Sequence, residues 1–139
     1  MKYLLLPFSI LWQLPQDLIG LIIYLCLKCK YPQMTYTSDY IFLPLRFFGS
    51  GVSLGHFIFL ERNRLCPTDA KHELGHRKQS QIFGWLYLPL FGLPSITANI
   101  IDRLCHKDWT YEQRIKWYYG KSHYWEYLAD KWGHVASRW

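Results

Sequence analysis

The chain is short of acid, with ten Asp and Glu against sixteen Lys and Arg, and it has only four glutamates. Any site needing a carboxylate at a set spacing therefore has few places to draw it from. Cysteine is scarce as well. Cys26 and Cys29 lie in or beside an apolar segment and Cys66 and Cys105 lie far apart, which excludes a disulfide framework. Cys26-Leu27-Lys28-Cys29 has zinc-knuckle spacing but no second pair. Reduced thiols are expected, in a protein facing the cytoplasm. No basic stripe or nucleic-acid module is present: the net charge of +6 is scattered in ones and twos, as at Lys28/Lys30, Arg62/Arg64 and Arg77/Lys78. No nucleic-acid partner is expected. Internal repeats and low-complexity tracts are absent, and no small-residue cleavage site follows the first apolar run, so that segment reads as retained.

What is present is apolar and aromatic. Half of the 139 residues are hydrophobic and 19% are aromatic, which rules out a disordered chain and suits one compact core with an apolar appendage. Tyr3 to Trp12 and Leu18 to Leu27 are apolar, with Pro15 and Asp17 between them and Lys28 and Lys30 after them. Neither half reaches the roughly 20 residues that cross a bilayer, so a kinked or interfacial helix is expected. Gly84 to Ile101 is uncharged too, but Pro89, Gly92 and Pro94 predict a bent hairpin or a shallow re-entrant segment. Positive charges flanking apolar segments, a mean hydropathy of -0.09 and aromatics at Trp12, Tyr24, Trp85 and Tyr87 together favour attachment to one leaflet.

Between these segments, Tyr40 to Phe48 and Val52 to Glu61 are rich in aromatic and β-branched residues and flank Gly49-Ser50-Gly51, which predicts a β-hairpin. Pro67, Thr68 and Asp69 suit a helix start, with Thr68 as the cap, and the helix should run to about Phe83. Asp102 to Gly120 has no clear periodicity. A last helix is expected from Ser122 as its N-cap through Trp132 to a stop at Gly133.

The chemistry sits in His72-Glu73-Leu74-Gly75-His76. Helical residues four apart share a face, so His72 and His76 can present two imidazoles to one ion. Glu73, about 100° round the helix, falls beside that ion and suits a general base. A catalytic zinc takes three protein ligands, so a third is needed from elsewhere. Glu126 and Asp130 are also four apart, and either carboxylate could bind the ion while the other bonds the outer nitrogen of a ligand histidine. Glu112 is the reserve ligand. His123, three residues before Glu126, is a possible oxyanion donor, with Tyr124 and Tyr127 nearby.

His72-Glu73-Leu74-Gly75-His76 followed by Glu126-Tyr127-Leu128-Ala129-Asp130 resembles the gluzincin zinc peptidases, whose pattern is HExxH followed by ExxxD. The resemblance implies Glu126 as the third ligand and Asp130 as the orienter of a histidine. It also implies that Leu54 to Leu60 matches the substrate-binding edge strand. His72 to Gln79, Phe91-Gly92-Leu93-Pro94-Ser95 and Ala129-Asp130-Lys131-Trp132-Gly133 look like small bacterial gluzincin-like proteins with hydrophobic N-termini. Site-2-type intramembrane proteases share His-Glu-x-Gly-His, but their Leu-Asp-Gly-type motif has no counterpart beyond Asp102.

The expectation is therefore an α+β, mainly helical domain. A β-hairpin lies beside the zinc-bearing helix in a minimal gluzincin-like core over residues 31–139, and an apolar membrane-associating segment covers residues 1–30. It would hold one Zn2+ and hydrolyse a peptide or protein substrate at a membrane. The alternatives are a non-catalytic membrane-associated zinc protein and an intramembrane protease.

Overall fold

A computed structural model describes residues 6–43, 51–61 and 67–136. The apolar N-terminus is helical and breaks where Pro15 and its polar neighbours predicted, giving α1 (Leu6–Trp12) and α2 (Leu14–Lys30). Pro15 lies in the first turn of α2, where a missing N–H costs nothing. The break is buried. Gln16 Nε2 donates to Ser80 Oγ at 3.0 Å and to the Gly84 carbonyl at 2.9 Å, and Ser80 Oγ donates to Gln13 Oε1 at 2.8 Å. The indoles of Trp12 and Trp85 donate across the same seam, to the carbonyls of Gln81 and Leu11. Residues 6–30 are thus stitched into the domain by buried polar contacts.

The sheet is mixed, in the order β1 (Thr35–Tyr36), β2 (Ile41–Leu43), β4 (Phe57–Glu61), β3 (Gly51–Leu54). β1–β2 and β3–β4 are antiparallel, while β2–β4 is parallel. The hairpin therefore differs from the expected one. The chain reverses inside the stretch read as a second strand, at Gly55-His56, because Gly55 adopts the left-handed φ of 61° that a two-residue loop needs. Ile41–Leu43 pairs in parallel with that hairpin, and the rest of the expected first strand, residues 44–48, lies outside the described residues with Gly49 and Ser50. Asp17 holds the turn to α2: its carboxylate accepts from the His56 backbone N–H at 2.7 Å and meets His56 Nδ1 at 2.8 Å. Leu27, Met34, Leu43 and Phe59 form the core between α2 and the sheet.

α3 (Pro67–Phe83) starts with proline in its first position and has Asp69 in its first turn. Thr68, expected as the cap, is instead the second residue of the helix, because the helix begins one residue earlier, at Pro67. α3 ends where Gly84 takes a φ of 52°, with the Trp12 ring packed where a Cβ would stand. The apolar stretch beyond stays helical but changes pitch, through a 3-10 turn (Gly84–Leu86) and a π turn (Leu88–Gly92) into α4 (Leu93–Cys105). Among the described residues no helix is long and apolar enough to cross a membrane.

α5 (Tyr111–Tyr118) opens on a capping box, Thr110 Oγ1 accepting from the Gln113 N–H while the Gln113 side chain accepts from the Thr110 N–H. It lies in the stretch where no periodicity was legible. α6 (Tyr124–Gly133) follows, with His123 rather than Ser122 at the N-cap. The left-handed residue that ends α6 is His134, with φ 55°, not Gly133.

Candidate metal centre

The site forms where α3 and α6 cross, and two glycines set how closely they approach. A Cβ on Gly75 would stand 1.9 Å from the Ala129 carbonyl oxygen, and one on Gly133 would stand 2.0 Å from the Lys71 carbonyl oxygen. Backbone cannot yield at such distances, so glycine is required at both points. The helices therefore meet backbone to backbone, and Glu126 on α6 reaches the histidine pair on α3.

His72, His76 and Glu126 are all buried, and their donor atoms lie within 4.8 Å of one another, forming a triad that could hold a metal ion. Glu126 Oε2 is 3.0 Å from His72 Nε2 and 3.4 Å from His76 Nε2. Ligands about 2 Å from a tetrahedral ion stand about 3.3 Å apart, so the spacing fits. Neither contact is aligned as a hydrogen bond: both oxygens of the wholly buried Glu126 lack a hydrogen-bond partner among the described residues, as does Glu73 Oε2. Buried carboxylate oxygens without partners are costly, and atoms converging on a common point rather than on one another are what an ion's ligands present.

The outer nitrogens are held from behind. His72 Nδ1 meets Asp130 Oδ1 at 2.7 Å, and His76 Nδ1 meets Gln79 Oε1 at 2.7 Å. Gln79 is itself fixed by donating Nε2 to the Trp125 carbonyl at 2.8 Å. Both rings thus turn Nε2 toward Glu126. Gln79 was not singled out from the sequence, although it stands three residues after His76 on the same helix face.

Electrostatics agree with this arrangement. Burial pulls the His72 imidazole down, but the Asp130 and Glu126 carboxylates outweigh it and push it up to about 10. Burial pushes Glu126 up, yet His76 and His72 hold it well below the usual carboxylate range. These directions favour a charged His72 beside a charged Glu126 in the metal-free site, and a cation bound there would displace the His72 proton. Glu73 is pushed up by burial against the pull of His76 and His72.

Glu73 lies between the triad and the sheet, with its Cγ and Oε1 2.9 Å from where a Gly51 Cβ would be. The strand beside it is β3, an edge of the sheet among the described residues. The expected edge, Leu54 to Leu60, is mostly β4, which has neighbours on both sides. A cavity of about 310 Å³ runs over His72, Glu73, His76 and Glu126, walled by β3, α2, α4 and the end of α5. Tyr118 and Tyr119 line it, Tyr119 with its ring edge-on to His72 at 5.3 Å. Tyr87 lines it too, its hydroxyl donating to the Ser53 carbonyl of β3 at 3.1 Å. Tyr87, expected with Trp12, Tyr24 and Trp85 at a membrane interface, is buried instead because its hydroxyl finds the Ser53 carbonyl inside the fold, and no sequence signal marked Tyr118 or Tyr119.

The other sequence candidates stand elsewhere. His123 Nδ1 is 2.7 Å from the Trp117 carbonyl, with its ring packed between Trp117 and Trp125, and it does not line the cavity. Tyr124 donates to the Leu90 carbonyl. Glu112 is exposed on α5. Asp102, which an intramembrane-type site would recruit, is buried against Arg114 and His106. Cys26, Cys29 and Cys105 are free thiols. Compared with protein-family models, with curated proteins and with solved structures, the chain matches none.

Proposed function

We propose that the protein is a zinc-dependent peptide hydrolase working at a membrane surface. The observation that carries the reading is the triad itself: two imidazoles and one carboxylate, all buried, each imidazole oriented from behind, beside a second buried carboxylate facing a strand edge. Two nitrogens and one oxygen at this spacing suit Zn2+ better than the harder Mg2+ or Ca2+, which favour all-oxygen sets. His72, His76 and Glu126 would hold the ion, whose chemistry is to lower the pKa of water and polarise a carbonyl.

The chain's own groups account for the rest. Among the described residues β3 has no second neighbour: Leu54 and Phe57 close the two-residue hairpin, so the backbone groups of Gly51 and Ser53 point away from β4, where the Ser53 carbonyl accepts from the Tyr87 hydroxyl. A substrate strand added there would lie across Glu73. Glu73 takes the proton of the attacking water and returns it to the leaving amine, and its raised pKa suits a group that does both. Asp130 and Gln79 keep the imidazoles from rotating.

Glu73→Gln tests the reading. It should preserve zinc content and folding while abolishing cleavage of a peptide library. Unchanged cleavage would sink the assigned base, and a protein without stoichiometric zinc after reconstitution would sink the centre. Zinc bound with no cleavage by either form would leave an ion that ties α3 to α6.

A further inference from the structure

The cavity over the triad does not open onto polar surface. Among its lining residues the well-exposed ones are three isoleucines, Ile19 on α2 and Ile96 and Ile100 on α4, between 41% and 50% exposed. Both helices continue that character away from the mouth. On α2, Leu14, Leu18, Leu21, Ile22 and Leu25 are exposed at helical spacing; on α4, Leu93, Ile101 and Leu104 are. α1 adds Phe8 and Leu11, and Trp85 and Leu86 follow α3, joined to α1 by the paired indole hydrogen bonds. Isolated exposed apolar residues are ordinary, but an array of this size around one opening is not.

Charge on the same elements is one-sided. Over residues 6–30 and 82–105 the acidic residues are Asp17 and Asp102, both buried and engaged, by His56 and by Arg114. Lys28 and Lys30 at the end of α2 and Arg103 near the end of α4 are exposed. The exposed surface of these elements is thus apolar with a basic border, complementary to an anionic bilayer whose headgroups accept the cations and whose acyl region accepts the side chains. Buried polar contacts fix α2 to α3 and to the β3–β4 turn, so the face is a rigid part of the site's own wall.

We propose that this face docks on an anionic bilayer with the cavity mouth opening into it, and that the polypeptide acted on is an apolar segment presented by the membrane. The substrate half rests on the hydrolase reading above, whereas the docking half does not.

The test uses the full chain. It should float with vesicles of phosphatidylcholine and phosphatidylglycerol, and more weakly with phosphatidylcholine alone. Ile22→Asp combined with Leu104→Asp, neither in the cavity, should lower the bound fraction by about tenfold or more with zinc content unchanged. In Glu73→Gln protein, an apolar helical peptide embedded in the vesicles should bind and a soluble polar peptide should not. Ile96→Asp at the mouth should weaken that binding while flotation persists. Failure of the wild type to float, flotation unaffected by the double variant, or a stable dimer in solution that the double variant dissociates would each overturn the docking. Equal binding of the polar peptide would overturn the membrane-presented substrate. Docking and binding as expected, with no cleavage by the zinc-loaded wild type, would uphold the docking and remove the hydrolase reading instead.

Discussion

Two helical surfaces border the same cavity and are built on opposite rules. Where α3 meets α6, polar and charged groups are buried, backbones touch, and each histidine has a partner behind it. Where α2 and α4 flank the mouth, apolar groups are exposed and the cations stand at the border. Both arrangements run against what water favours, which leaves polar groups out and apolar groups in. In the proposed reading an ion would relieve the first and a lipid surface the second. The contrast predicts that substitutions on the α3/α6 seam act on the ion and the fold, and that substitutions on the α2/α4 face act on neither.

The largest effect should come from the carboxylate proposed as the base. Glu73→Gln should lower peptide hydrolysis by about 10²–10⁴-fold, read as turnover at unchanged zinc content. Gly75→Ala should break the seam: its methyl meets the Ala129 carbonyl, so α6 must move away, with a loss of about 3 kcal/mol in denaturant unfolding and impaired zinc retention in dialysis. A seam that accepted alanine without loss would mean that the helices do not meet this closely.

Smaller effects follow from the groups behind the histidines. Asp130→Asn and Gln79→Leu should each weaken zinc about 10–100-fold in a competition titration, since each frees one imidazole to rotate. Proton linkage sharpens the same point. In the metal-free protein the His72 pKa lies above its unfolded value, so its contribution to stability is complete below pH 6.5 and is lost as pH rises toward about 10. The gap in melting temperature between metal-free wild type and His72→Gln should close over that interval. Least of all, Leu18→Asn or Leu93→Asn should change solution stability by no more than about 0.5 kcal/mol, measured by thermal unfolding without lipid.

Residue order alone picked out the two helices that carry the candidate ligands. Ligands four residues apart on one helix need no tertiary information to share a face, so the pairing of His72 with His76 and the spacing of Glu126 and Asp130 were legible from residue order. The break near Pro15 and the end of α3 before Gly84 were legible for the same reason, since proline and glycine act on the backbone locally. A capping box at Thr110 and Gln113 was also there to be read and marks α5.

Only the tertiary structure decided what those elements touch. The parallel pairing of Ile41–Leu43 with Phe57–Glu61 joins strands distant in sequence, and the reversal at Gly55-His56 needs Asp17 from another element to hold it. Gly75 and Gly133 looked like a motif position and a helix stop, yet both mark where a second backbone passes, something no residue's own neighbours encode. Gln79, β3 and the cavity tyrosines likewise became part of the site through packing across the fold. Residue order determined which atoms could bind an ion, because helical spacing is local; long-range packing decided that they converge on one point, beneath an apolar mouth.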